Sequence, residues 1–430
     1  MSITAQSLPQ RDCIVVGAGY GGLAAALALH KVGLSVLVLE RAPSPRQEGF
    51  SIGAFSNSWR AFEELGVADE VRKDHLPMKS VNYADSHDNV YRSLNIKDLP
   101  YPEGLKGSEL RVIRRLAAPV AMTNALPKGT VHYGGTVVGA KVTPTGAEVE
   151  LADGQKLAAK MVVLADGVHS KSAQKYHKVP LKVMDVAGWR AMAELDAEEE
   201  PEIVATFTSG PNTRVGTIPV TYDAQRKKML WYYFMAASMK EKEMKSYDTY
   251  EKHIAGMRKH MTGWKSPHME KLLAATQSDS VLISHIYERR VKPGDAWFEG
   301  CLSGVGDCAH ATRPDLGQGG AMAIEDGVEL GVYIKEAMEA AGKPFGELSP
   351  GDIAAALRNY ETGRSHRVFH IIDKSSKFGT MFLVISILPR WLMRFILAWL
   401  IQPATALEHT VWAPHGRLRP PSLPRDTGSA

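Results

Sequence analysis

The sequence predicts an α/β protein with one parallel-sheet domain, a second domain of antiparallel sheet, and helices at its C-terminal end. Three observations predict it. A strand–turn–helix–strand unit, "CIVVGAGYGGLAAALALHKVGLSVLVLER", runs from Cys13 to Arg41. Two later apolar strands end in acid–glycine pairs, Asp166-Gly167 in "KMVVLADGVHS" and Gly306-Asp307 in "CLSGVGD". Between these two strands, residues 176–285 hold several runs rich in β-branched and aromatic residues with turn signals between them.

The N-terminal unit is read residue by residue. Cys13 to Val16 form a short apolar run that reads as a buried parallel strand. Gly17-x-Gly19-x-x-Gly22 then turns into an Ala/Leu-rich helix, with Tyr20 and Gly21 inside the same turn. Gly17 permits the turn, Gly19 lets a pyrophosphate approach the backbone, and Gly22 lets helix and strand pack closely. Gly33 ends the helix, and Glu40 closes the second strand, "SVLVLE", about twenty residues past the glycines, where an acid accepts from a ribose hydroxyl. This is a Rossmann-like dinucleotide-binding pattern. Arg41, next in the chain, either stacks on an adenine or is solvated.

Bulk properties exclude other classes. The 430 residues, 44% of them hydrophobic, can bury more than one core. With 51 basic against 47 acidic residues, nothing asks for nucleic acid as a partner. Cys13, Cys301 and Cys308 are odd in number and lack metal-type spacing, so neither a disulfide framework nor a metal site is expected. The polar start "MSITAQSLPQRD" has no apolar signal core, and the expected location is cytoplasmic.

The run "GVGDCAHATRPDLGQGG", Gly304 to Gly320, places glycines where a flat ring can lie against backbone. Exposed N–H groups at the helix that follows can face anionic oxygens. Taken with Gly17-x-Gly19-x-x-Gly22 and Asp166-Gly167, in that order, the chain resembles the single-component FAD-dependent monooxygenases, the aromatic hydroxylases and zeaxanthin-epoxidase-like enzymes. The resemblance spans about residues 12–370. It implies that Asp307 binds the ribityl chain of FAD. It also implies that Pro314, Gly317, Gln318, Gly319 and Gly320 lie along the isoalloxazine and pyrophosphate. In the family's D-G-x-x-S-x-x-R segment, Asp166, Gly167 and Ser170 match, but Ala173 stands where the family has Arg; Lys171 and Lys175 are nearby cations, best read as solvated. "ELRVIRR" matches a family helix whose Arg contacts the flavin, with Arg115 as the equivalent and Arg111 as a second candidate. "YETGRSHR", Tyr360–Arg367, matches a structural helix.

The same resemblance divides the chain. Residues 1–80, 101–175 and 286–370 make the FAD-binding domain, 81–100 an excursion into the substrate domain, 176–285 the substrate-binding sheet, and 371–430 apolar helices and a tail. In "KMLWYYFMA", Met229, Trp231, Tyr233 and Met235 share one face, and Leu230, Tyr232 and Phe234 the other. Alternation does not say which face meets the cavity, and Tyr233 is the candidate the strand offers to substrate. Trp189-Arg190 matches a Trp-Arg pair at the start of this sheet in the family; an Arg there can hold a phenolate or carboxylate or protonate an oxygen near flavin C4a, the alternative being a salt bridge at the sheet edge. Glu48, with Arg46 beside it, is a candidate substrate-binding acid or base. His310, inside the flavin motif, reads as a satisfied loop histidine.

The implied chemistry is reduction of FAD by NADPH or NADH, followed by reaction with O2 to a C4a-hydroperoxide that hydroxylates or epoxidises an electron-rich aromatic or terpenoid-like lipophilic molecule. The alternative is a reductase or dehydrogenase of the same fold, like the prenyl reductases, without oxygen activation. A flavin halogenase is disfavoured because its Trp-x-Trp-x-Ile-Pro signature is absent. "FGTMFLVISILPRWLMRFILAWLIQP", Phe378–Pro403, is about the length of a membrane span, but Pro389 breaks it and Arg390 and Arg394 sit inside it. Two short helices packed on the flavin domain are the first reading, and a membrane-surface contact is the second.

Overall fold

A computed structural model describes residues 11–45, 50–99, 109–197, 202–211, 213–385 and 388–401, with 410, 412 and 414. The candidates Glu48 and Arg46 lie outside the described residues.

Two seven-stranded sheets organise the molecule. In the first, Val131–Tyr133, Val36–Glu40, Arg11–Val16 and Lys156–Leu164 run parallel, and Leu302–Gly304 adds a further parallel strand beside Lys156–Leu164. Its strands are apolar because both faces are covered: Cys13, Val15, Val38, Val162 and Val163 are all fully buried. The helices Tyr20–Lys31 and Gly319–Ala341 pack against each other on this sheet. An antiparallel pair, Val137–Thr143 with Gly146–Leu151, completes it.

The second sheet runs in the order Leu282–Glu288, Lys182–Asp196, Lys228–Ser238, Thr213–Asp223, Val204–Gly210, Ser80–Asp85 and Val90–Asn95. It is antiparallel except for one pairing: Val204–Gly210 runs parallel to Ser80–Asp85. That exception arises because Ser80–Asp85 and Val90–Asn95 form a hairpin supplied by the excursion from the first half of the chain.

"ELRVIRR" does not form a helix. Arg111–Arg114 is a strand paired with Ser51–Ala54, and the helix, Ala117–Ala125, starts after Arg115. The C-terminal apolar segment also differs from expectation. Its first part continues one long helix, Pro350–Ile385, and its second part is a separate helix, Arg390–Leu400, with Pro389 between them. Met393 and Ile401 are buried in the core of the antiparallel sheet rather than on the nucleotide domain. Among the described residues, no helix is long and apolar enough to cross a membrane.

Candidate active site

The C-terminal ends of the parallel strands open into a cavity of about 1800 Å³ roofed by the antiparallel sheet. A site for one small ligand typically measures about 300–1,000 Å³, so this cavity has room for a dinucleotide and a second molecule together. The ends of adjacent parallel strands are where this fold binds nucleotides.

The floor is the glycine turn. Gly17 takes φ +105°, and a Cβ there would stand 2.5 Å from the Ala165 carbonyl oxygen. A Cβ at Gly22 would stand 2.0 Å from the Gly17 carbonyl oxygen, so Gly22 serves helix–strand packing rather than the cavity wall. Gly19 is different. It has ordinary extended backbone, and a Cβ there would meet nothing within 4 Å. It faces the cavity at the start of the twelve-residue helix. The Glu40 carboxylate accepts from the Ala18 amide at 2.8 Å and the Ala42 amide at 3.0 Å, and so ties the turn to the second strand at the cavity edge. Tyr20, Gly21 and Arg41 also line the cavity, and the Tyr20 hydroxyl donates to the Arg115 carbonyl oxygen at 2.5 Å.

Asp166 and Gly167 reach the cavity from the end of the second apolar strand, Gly167 at φ +84°. Burial raises the Asp166 carboxyl, against a hydrogen bond from Ser170. Ser170 also caps the short helix that follows by accepting from the Ala173 amide at 3.0 Å. Ala173 is 1% exposed in the core; a long cationic side chain would not fit there without displacing its neighbours.

The third loop turns at Gly306, φ +66° and ψ −144°, and delivers Asp307 to the cavity. Burial raises the Asp307 carboxyl, partly offset by its electrostatic interactions with His310, Arg115 and Arg190. A buried network braces this loop from below. Asp326 accepts from the Gly306 amide at 2.8 Å and pairs with His310 Nε2 at 2.6 Å, while Arg364 donates to Asp326 at 2.8 Å and to Glu325 at 2.8 Å. Arg364 and Arg367, which pairs with Glu325, come from "YETGRSHR". Pro314, Gly317, Gly319 and Gly320 line the cavity. Gln318 does not: its side chain is buried, and its Oε1 accepts from Asn57 at 2.8 Å.

The two arginine candidates separate. Arg115 lines the cavity close to Asp307. Arg111 faces the opposite way, held by Glu109, by the His75 carbonyl oxygen and by the Trp59 ring. Arg111 is held within the strand Arg111–Arg114, whereas Arg115 lies just past its end, where its amide donates to the Phe50 carbonyl oxygen at 2.7 Å and its side chain enters the cavity.

Arg190 lines the roof and donates to Ser284 Oγ at 3.4 Å. The Trp189 ring packs behind the sheet, where its Nε1 donates to His253 Nδ1 at 3.2 Å. Tyr233 is also behind the sheet, fully buried, with its hydroxyl 2.7 Å from Thr276 Oγ1. It is therefore not in position to meet substrate, and its neighbours Tyr232 and Phe234 line the cavity instead. Burial raises the Tyr232 hydroxyl's pKa, against the charges of Arg190 and Arg115, and keeps it a neutral donor.

Sequence reasoning missed other lining groups. Arg214 bridges the roof to the glycine-rich loop by pairing with Asp315, which Arg313 also holds at 2.7 Å. Arg214 Nε and Nη2 are buried and have no partner among the described residues, so they remain available to a ligand. Strand alternation in "TRVGTIPV" was the available signal, but nothing local ties Arg214 to a loop 101 residues away. Beyond Arg190 the cavity turns apolar, with Phe50, Met78, Tyr83, Phe207 and Phe234 on its walls and Tyr83 stacked on Phe207 at 5.8 Å.

The glycine turn, the acid at the second strand and the braced Gly306–Asp307 loop fit an FAD: a turn that a Cβ at Gly17 would block, an open approach at Gly19 beside a helix N-terminus, and a carboxylate lie on one cavity. Comparison with known proteins agrees. The family model described as "FAD binding domain" matches residues 10–346. The FAD-dependent urate hydroxylase of Klebsiella pneumoniae subsp. pneumoniae is 27% identical, the match covering 85% of this chain and 88% of that protein. The chloroplastic zeaxanthin epoxidase of Prunus armeniaca is 30% identical, covering 83% of this chain and 53% of the epoxidase. The crystal structure of Klebsiella pneumoniae HpxO complexed with FAD and uric acid shares the fold at TM-score 0.73 and 24% identity, covering 90% of this chain and 92% of that one. By the match over most of its length, the chain belongs to the FAD binding domain family and, within it, to the flavin-dependent monooxygenases.

Proposed function

We propose that the protein uses NADPH or NADH and O2 to hydroxylate or epoxidise an electron-rich aromatic or otherwise lipophilic small molecule. The observation that carries this reading is the position of Arg190 and Tyr232. They stand at the boundary between the nucleotide-type floor and the apolar end of the same cavity.

When bound, FAD supplies two-electron chemistry with the nicotinamide and activation of dioxygen. The residues of this chain do the rest. Gly17, Gly19 and Glu40 hold the nucleotide end, and Asp307 and Arg115 the middle. The Arg190 guanidinium and the neutral Tyr232 hydroxyl orient an oxygen of the substrate by charge-assisted and ordinary hydrogen bonds. The aromatic walls bind the substrate's apolar body and exclude water, which would otherwise divert the oxidising equivalents to peroxide.

The test is NAD(P)H oxidation by the purified yellow protein with a panel of phenols, indoles and terpenoids, with and without oxygen, tracking peroxide. Substrate-stimulated, oxygen-dependent oxidation with little peroxide supports the reading. Flavin reduction with no oxygen-dependent product from the panel favours a reductase of the same fold.

A further inference from the structure

The helix Arg390–Leu400 has two apolar sides, and among the described residues only one of them is covered. Met393 is 2% exposed and Ile396 is partly buried against the antiparallel sheet. On the opposite side Trp391 and Phe395 are each 72% exposed, more than any other large apolar residue described. Their i, i+4 spacing puts them one above the other on a single face. Arg394 flanks them with its side chain 42% exposed, reaching back towards Asp85 only at 3.9 Å.

Charge and area indicate what covers this face. Along Arg390–Leu400 the sequence has two cations, Arg390 and Arg394, and no acid. A bare aromatic face flanked by Arg394, on a helix that carries no acid, suits the boundary between anionic headgroups and acyl chains. It does not suit a second protein. Two aromatic side chains bury about 300–500 Å² together, against the roughly 1,200–2,000 Å² of a stable protein interface. The helix also lies beside the cavity: Phe378, Met381 and Ile401, from the segments leading into and out of it, line the apolar end of the site.

We infer that Arg390–Leu400 is an interfacial anchor that lays Trp391 and Phe395 into an anionic lipid surface and turns the apolar end of the cavity towards the bilayer. This goes beyond the oxygenase reading and does not need it, although a lipophilic substrate dissolved in the same bilayer would then reach the site without crossing water.

The experiment is sedimentation of the full-length, flavin-loaded protein with sucrose-filled vesicles of phosphatidylcholine alone, or of phosphatidylcholine and phosphatidylserine in three-to-one proportion. The wild type should pellet with the mixed vesicles and less with phosphatidylcholine alone, and added salt should weaken the binding. Trp391→Ala with Phe395→Ala should reduce partitioning about tenfold or more, because two aromatic anchors are lost. Its flavin spectrum and melting temperature should stay unchanged, since neither side chain is in the core. A second variant, Trp391→Phe with Phe395→Leu, keeps the apolar face and should restore most of the binding. Wild-type protein that stays in the supernatant with both vesicle types overturns the inference. So does a wild-type dimer in solution that the double alanine variant dissociates, which would make a second copy the occupant. Vesicle binding needs no turnover, so a protein that binds vesicles but oxygenates nothing would refute the proposed function alone.

Discussion

Tyr232 and Tyr233 are neighbours in the chain and lie on opposite faces of one strand. The first lines the cavity beneath the roof, and the second is fully buried behind it against Thr276. The two positions therefore separate function from stability. Tyr232→Phe should lower kcat/KM for a phenolic substrate by about tenfold with little change in melting temperature, as expected for one lost hydrogen bond to a polarised oxygen. Tyr233→Phe should leave kinetics unchanged and cost about 1 kcal/mol of stability, read as a lower urea midpoint. Thr276 keeps its bond to the Leu272 carbonyl oxygen, which limits that cost.

The glycines of the first turn divide in the same way. Gly19→Ala adds a methyl group that meets no protein atom within 4 Å but projects where the nucleotide approaches. That variant should fold, with a stability loss of about 1 kcal/mol or less, and bind FAD at least about tenfold more weakly. Gly22→Ala drives its methyl to 2.0 Å from the Gly17 carbonyl oxygen. It should cost about 1–3 kcal/mol through overpacking, seen by thermal melting of the apoprotein. Equal stability of the two variants would contradict the division.

Arg190→Met should retain FAD, because the glycine turn and Asp307 are untouched, while substrate-stimulated NAD(P)H oxidation falls on the order of ten- to a hundredfold. Arg190→Lys should recover only part of this, because a point charge does not replace the guanidinium fork. Steady-state kinetics beside a flavin titration separate the two effects.

Acid stability should depend on His177. Burial, and then the nearby Arg289 charge, push its pKa down to about 3. Its Nδ1 accepts from the Val179 amide at 3.0 Å and its Nε2 donates to the Ala309 carbonyl oxygen at 2.7 Å, an arrangement only the neutral ring can make. The unfolded chain takes up that proton near pH 6.5, so between about pH 6.5 and 3 the unfolded state binds more protons and stability falls on acidification. His177→Asn removes the titration, and its urea midpoint should fall less steeply than the wild type's as the pH is lowered over that range.

The nucleotide floor was legible because its constraints are local. The spacing of Gly17, Gly19 and Gly22, the acid Glu40 and the pairs Asp166-Gly167 and Gly306-Asp307 each encode one turn or one strand end. The roof was less legible. Period-two alternation sorts Tyr232 from Tyr233, but which face turns inward is decided by helices and strands far away in sequence. Arg214 meets Asp315 across 101 residues, and no local pattern announces that pairing. A helical reading of "ELRVIRR" groups Arg111 with Arg115, but the strand ends at Arg114, and Arg111 is held by Glu109, the His75 carbonyl oxygen and the Trp59 ring. The apolar terminal segment shows its break at Pro389 but not its docking partner, since the core of either sheet could have covered Met393.

The most direct test of the account is the visible spectrum of the purified protein under anaerobic conditions, before and after NADPH or NADH is added, and again after air is readmitted. The expected result is a bound yellow chromophore that heat releases as FAD, bleaching with reduced nicotinamide, and recovery with oxygen. A protein that carries no flavin and takes none up on reconstitution would contradict it.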